Sequence, residues 1–230
     1  MARPALLLLP GIEGDRSIFD MEPDMVDAWE LVPIDLPAKG TQIEDWATAV
    51  LSRPELPHRF ALLGASLGGL IAWHMAYRAP DRVNALVAVG TLPGPRHRPR
   101  SVKPAAAAMA WLPSGLLRRL RTARLGHLLE AEGADREIAQ EIHDVGTWGD
   151  RLSAVAAWRG CPAPSCPVLW LRGQSDREAP WTPAQAETAL PWADVRVVPG
   201  GHWPWITHPV PFWEMVGSWL VASCPEAGTG

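Results

Sequence analysis

The segment Gly64-Ala65-Ser66-Leu67-Gly68 sets a serine between two glycines at the point where an apolar run, Phe60 to Gly64, gives way to a helical pattern, Leu67 to Ala79. A serine hydroxyl is a weak nucleophile until a base takes its proton, and the base works best when a carboxylate fixes its tautomer. The spacing Gly-x-Ser-x-Gly at a strand-to-helix junction is what a nucleophile elbow requires. A tight turn exposes the hydroxyl, the glycines remove side chains that would clash, and the following helix supplies its positive dipole end. An acid and a histidine in the right order are both present downstream. Asp176 follows the apolar run Val168 to Arg172, and His202 follows Val195 to Val198. Glu178 competes with Asp176 but lies further into its loop. His208 competes with His202 but stands beside Pro209 at a helix start, where capping or packing is its expected role. The order Ser66, Asp176, His202 is the Ser, acid, His order of one particular fold. Attack on a carbonyl also creates an oxyanion, and each backbone donor to it is worth about two to three orders of magnitude in rate. The expected donors are the amide of Leu67, directly after the serine, and that of Ile12, in the loop opened by Pro10-Gly11.

The elements that must hold these residues are legible as alternating runs. Short β-type runs cover Ala5 to Leu9, Leu31 to Asp35, Phe60 to Gly64, Asn84 to Gly90, Val168 to Arg172 and Val195 to Val198. Helical patterns cover Ile43 to Ser52, Leu67 to Ala79, Pro183 to Leu190 and Pro211 to Val221. The strands are nearly continuous apolar runs, which is the signature of a mostly parallel α/β sheet buried on both faces by helices. Such a sheet gathers Ser66, Asp176 and His202 on its carboxyl edge. From Leu92 to Pro167 the β-type runs stop and helix-prone stretches take over. That is far too long for an ordinary connection, so residues 92–167 are expected to form an inserted helical subdomain on a core of 1–91 and 168–230.

Bulk properties narrow the classes of function. The 230 residues are 47% hydrophobic and 20% charged, enough for one sizeable core, and the net charge of -4 argues against a nucleic-acid partner. The apolar stretch at the N-terminus, Ala5 to Leu9, is read as a strand rather than a signal peptide, and no run reaches the length of a membrane span. Three cysteines, Cys161, Cys166 and Cys224, make no disulfide framework, so a cytoplasmic location is expected. His58, His97, His127 and His143 show no metal-ligand spacing, and His74 falls on the helix after the elbow as a core or surface residue.

Taken together, "LLLLPGIEG", "IDLPAKG", "LLGASLGG", "RAPDRVNALVAVG", "LRGQSD" and "GGHWPWITHP" occur in the order and spacing of the α/β-hydrolase superfamily, which the chain resembles over nearly its whole length. Within that superfamily "GHWPWITHP" and the position of the insertion are similar to small carboxylesterases that cleave the methyl ester of a carrier-protein-bound pimeloyl chain, and to related thioesterases and lyases. The resemblance implies the α/β-hydrolase fold, ester hydrolysis without a cofactor, and a lid formed by the insertion. Three positions depart from the family pattern. Pro10-Gly11 replaces the frequent His-Gly. The chain enters directly on the first parallel strand, so about six strands are expected. Lys39 stands where a small or aromatic residue is usual and is expected at the pocket edge.

Between Asp81 and Glu130 there is no acidic residue, whereas Arg96, Arg98, Arg100, Lys103, Arg118, Arg119, Arg121 and Arg124 all fall there. Such a patch suits an acidic acyl carrier protein or the phosphates of coenzyme A, or is simply a solvated basic face. Thirteen tryptophans accompany one tyrosine. Trp203, Trp205 and Trp111 are the foremost candidates to line an apolar acyl pocket, with Trp148, Trp158 and Trp181 nearby. The leading expectation is thus a serine hydrolase of a small-molecule ester or thioester. The alternatives are a lyase or synthase using the same three residues as a general base, and a non-catalytic binding protein on the same fold.

Overall fold

A computed structural model of the chain describes residues 3–19, 28–109, 111–142, 148–179 and 181–224. Six strands form one sheet: β1 (Ala5–Leu9), β2 (Glu30–Pro33), β3 (Phe60–Ala65), β4 (Val83–Val89), β5 (Val168–Gly173) and β6 (Asp194–Val198). Their order across the sheet is β2-β1-β3-β4-β5-β6, and every neighbouring pair is parallel. The six-stranded parallel sheet expected from the apolar runs is therefore present, each strand within two residues of its expected position at either end.

Alternation along the strands explains why they are apolar throughout. In β1, Leu7 and Leu9 enter a core with Trp46, Leu70 and Ile71. Leu6 and Leu8 enter a second core with Phe212, Trp213 and Val216 on the opposite face. Burying each leucine contributes about 2 kcal/mol, so a polar residue at any of these positions is costly on either face. The first face is covered by α1 (Ile43–Leu51) and α2 (Leu67–Arg78), the second by α9 (Pro209–Ser223) together with the short α8 (Pro204–Thr207). α7 (Pro183–Ala189) joins β5 to β6; its Thr182 and Gln185 cap each other. The outer strands β2 and β6 are only partly buried, as sheet edges are.

Between β4 and β5 the described residues form four α-helices, α3 (Val102–Met109), α4 (Ser114–Ala131), α5 (Ile138–Glu141) and α6 (Trp148–Ala157). Residues of α3, α4 and α6 line a cavity shared with the loops after β1, β3 and β6, and Leu125, Leu129, Ala139 and Ile142 join the second core. On the other side Trp158, just past α6, is buried against α2, where its indole donates to His74 Nε2 at 3.0 Å. Burial holds the His74 pKa down, and an imidazole nitrogen that accepts from an indole is unprotonated. The approach of Glu44 at 3.8 Å is therefore not a charged pair.

Candidate active site

The chain leaves β1 on one side towards β2 and returns on the other as β3, so the strand order reverses between β1 and β3. Ligands of open α/β sheets bind in the crevice beyond the carboxyl ends at such a switch point. Ser66 sits there, as the single residue between β3 and α2. Its φ of 52° and ψ of -113° make it the only non-glycine residue with positive φ among the described residues. A serine held there carries backbone strain that its surroundings must impose. Its amide donates to Val89 O at 2.7 Å, and its carbonyl accepts from the Thr91 hydroxyl at 3.0 Å. The glycines follow from the same packing. A β-carbon on Gly64 would fall 2.3 Å from Gly68 O, one on Gly68 2.3 Å from Leu9 O, and one on Gly69 1.9 Å from Thr91 Oγ1.

Asp176 and His202 are brought together from the loops after β5 and β6. His202 Nδ1 donates to Asp176 Oδ2 at 2.9 Å, which leaves Nε2 as the basic nitrogen of the ring. The other carboxylate oxygen of Asp176 accepts from the amides of Glu178 (2.9 Å) and Ala179 (2.8 Å). Arg172, buried beneath the loop, donates to the carbonyls of Asp176, Gly173 and Trp181 and so fixes the turn. Burial works against the Asp176 charge. The His202 imidazole, its hydrogen bond, the Ala179 amide and Arg172 outweigh it and hold the carboxyl below its ordinary range. Burial likewise works against a charged His202, but Asp176 first, then Glu178 and Glu13, raise its pKa above the ordinary 6.5. Gly90, at φ +57°, completes the arrangement: a β-carbon there would lie 2.9 Å from His202 Cε1 and 3.2 Å from Asp176 Oδ2.

Ser66 and His202 line one cavity of about 470 Å³, together with Ile12 and Leu67. Trp203 and Trp205 line it as well, Trp203 standing edge-on to the His202 ring with centroids 4.9 Å apart. Trp148 and Trp181 contribute further wall. Trp111 requires a correction: its side chain is 89% exposed at the turn before α4, and it is not among the described residues that line the cavity. A tryptophan beside a helix start can face either way; here α3 packs on α6 and α4 on α5, and the turn between them that carries Trp111 is left exposed. Lys39 is likewise exposed and away from the cavity wall.

The rivals have other partners. Glu178 is held by Arg124, whose guanidinium reaches both carboxylate oxygens at 2.7 Å. His208 Nδ1 lies 3.0 Å from the Thr207 hydroxyl, behind the His202 loop. His143 falls outside the described residues, among which no three His, Cys, Asp or Glu side chains gather as a metal-binding group.

Several cavity and support residues had no signal of their own in the sequence. Glu13, next to Ile12, is buried in the cavity wall; burial raises its pKa against the pull of its own backbone amide, His202, Arg121 and Arg151. Thr91 supports the elbow through its hydroxyl while its carbonyl accepts the indoles of Trp170 and Trp181, both at 2.9 Å. Arg151, fully buried, donates to Ile12 O at 2.7 Å.

A six-stranded parallel sheet, a strained serine at its switch point and, in the same cavity, a histidine paired with a buried aspartate define an α/β-hydrolase architecture. The chain belongs to the alpha/beta hydrolase family, whose model matches residues 6–215. Among curated relatives, the pimeloyl-[acyl-carrier protein] methyl ester esterase of Aromatoleum aromaticum is 44% identical over 80 residues, which is 35% of this chain and 29% of that protein. The chain thus matches under a third of that relative's length. Among solved structures, an esterase from Thermogutta terrifontis superposes with a TM-score of 0.74 at 22% identity, covering 96% of this chain and 90% of that one. The enol-lactonase from Burkholderia xenovorans LB400 superposes with a TM-score of 0.76 at 20% identity, covering 96% and 92%. At these identities the superpositions establish the shared fold. No described helix is long and apolar enough to cross a membrane.

Proposed function

We propose that this chain is a serine hydrolase of carboxylic esters or thioesters. Ser66 attacks the acyl carbonyl as His202 Nε2 takes its proton, and Asp176 holds the imidazole in the productive tautomer. The oxyanion is received by the amides of Leu67 and Ile12. His202 then protonates the leaving alcohol or thiol, and a water activated by the same imidazole cleaves the acyl-enzyme. No cofactor enters the cycle. The observation that carries this reading is the positive φ of Ser66, because a serine is forced into that conformation where its hydroxyl must project from the turn.

Residues 92–167 act as a lid over this centre, and the cavity they help to enclose takes an apolar acyl chain against Trp203 and Trp205. The partial likeness to esterases of carrier-protein-bound pimeloyl methyl esters supports an acyl chain delivered on an acidic carrier protein. Of the eight lysines and arginines from Arg96 to Arg124, Arg121 is buried, Arg124 is bound to Glu178, and Arg98 donates to the carbonyls of Val155 and Trp158. Arg96, Arg100, Lys103, Arg118 and Arg119 are exposed and are the residues on which such a carrier docks.

The test is turnover of p-nitrophenyl esters from acetyl to long acyl chains by the wild type and by Ser66→Ala. The expected outcome is measurable hydrolysis that falls by at least about three orders of magnitude in the variant. Trapping of an acyl-enzyme on Ser66 distinguishes hydrolysis from general-base lyase chemistry, and a wild type inert towards every ester would leave the binding-protein reading.

A further inference from the structure

Side chains from the helices between β4 and β5 reach the Ile12, Asp176 and His202 loops, each through a polar contact. From α6, Arg151 donates to Ile12 O at 2.7 Å and lies so close over Gly14 that a β-carbon there would meet its guanidinium at 2.2 Å. From α4, Arg124 holds Glu178, whose amide donates to Asp176. From the end of α4, the Glu132 carboxylate accepts the Gly201 amide at 2.8 Å, one residue before His202, and the Thr207 hydroxyl at 3.2 Å.

Resting on the hydrolase reading above, we propose that these helices position the catalytic groups as well as covering them, with Glu132 the positioning residue for His202. The His202 loop turns through Gly200 at φ +98° and Gly201. On its inner side Gly200 O accepts from the amide and hydroxyl of Ser175, both at 3.0 Å, tying the loop to that of Asp176. On its outer side the Gly201 amide has Glu132. A loop gripped on one side only swings about that grip, and a displacement of His202 by a fraction of an ångström lengthens its bond to Asp176 and changes its approach to Ser66. The grip also depends on the second glycine of Gly-Gly-His: a β-carbon on Gly201 would fall 1.5 Å from Glu132 Oε1 and displace the carboxylate. Glu132 is not among the described residues that line the cavity, so its action on the reaction goes through the loop and not through the substrate.

The clamp makes reach, not charge, the essential property of Glu132. Glu132→Gln keeps an oxygen at the same distance without the charge, and Glu132→Asp keeps the charge but falls short by one methylene. For a short p-nitrophenyl ester, Glu132→Gln is expected to stay within about threefold of the wild-type kcat, and Glu132→Asp to lose about tenfold with KM within twofold. The rate of Ser66 labelling by a fluorophosphonate follows the same order. In proton NMR the downfield His202–Asp176 resonance is retained in the Gln variant and broadened by exchange in the Asp variant. Equal kcat in both variants, a larger loss in Gln than in Asp, or a loss confined to KM overturns the clamp. A wild type that neither turns over esters nor is labelled defeats the hydrolase reading instead, and the NMR comparison then decides the clamp alone.

Discussion

At the scale of single residues, the site rests on how one carboxylate and one imidazole share a buried space. Asp176 spends one oxygen on two backbone amides and the other on His202. Its orientation is therefore set by the loop, and the imidazole takes its orientation from it in turn. Glu178, two residues on, is turned towards Arg124. We expect Asp176→Asn to lower kcat by about four orders of magnitude, because the amide can donate to Nδ1 and stabilise the wrong tautomer. The pH profile provides a second check. In the proposed mechanism His202 must be neutral to accept the serine proton, and its pKa is raised, so wild-type kcat/KM is expected to be lost as pH falls through a midpoint above 6.5. Removing the Asp176 charge removes the main cause of that rise, and the midpoint of the residual activity moves to lower pH. An unmoved acid limb would assign the titration to a group other than His202.

At the scale of elements, the elbow depends on two chain segments approaching more closely than any side chain permits. The first turn of α2 lies against the end of β1, with Gly68 facing Leu9 O and Pro10 O. Gly68→Ala leaves the hydroxyl, the base and the acid unchanged but forces β1 and α2 apart. The expected cost is about 2–3 kcal/mol. For a chain of this size that is a fall in Tm of roughly 5–10 °C, measured by calorimetry, alongside reduced turnover because the same shift moves the Ile12 loop. The Glu132 clamp belongs to this scale too. There a helix end, rather than a strand, sets the position of a catalytic loop.

At the scale of the whole molecule, charge is distributed unevenly although the total is only -4. The exposed basic residues from Arg96 to Arg119 stand on a chain that is otherwise net acidic, so in the proposed docking they are what attracts a diffusing acidic partner. For an ester presented on an acidic carrier protein, raising salt from about 50 to 300 mM is expected to lower kcat/KM roughly fivefold to tenfold. For a neutral p-nitrophenyl ester the same change should leave it nearly constant. Equal salt responses for the two substrates would assign the basic face to solvation alone.

Much of this molecule is local in origin and so readable from the chain. Apolar runs of strand length, alternating with helical patterns, specify a parallel sheet because only burial on both faces accounts for their composition, and the six strands lie where those runs are. The Gly-x-Ser-x-Gly turn and the loops of Asp176 and His202 are likewise local features, each following a strand end. What only the tertiary structure decided involves side chains far apart in sequence. Arg151 reaches Ile12 across 139 positions, Glu132 reaches Gly201 across 69, and Arg124 reaches Glu178 across 54. No periodicity marks such residues, because a buried arginine or a gripping glutamate is indistinguishable from a surface charge until its helix is docked. The outward turn of Trp111 has the same cause. An aromatic residue in a helical connection has no inside or outside until the helices on either side of it are docked.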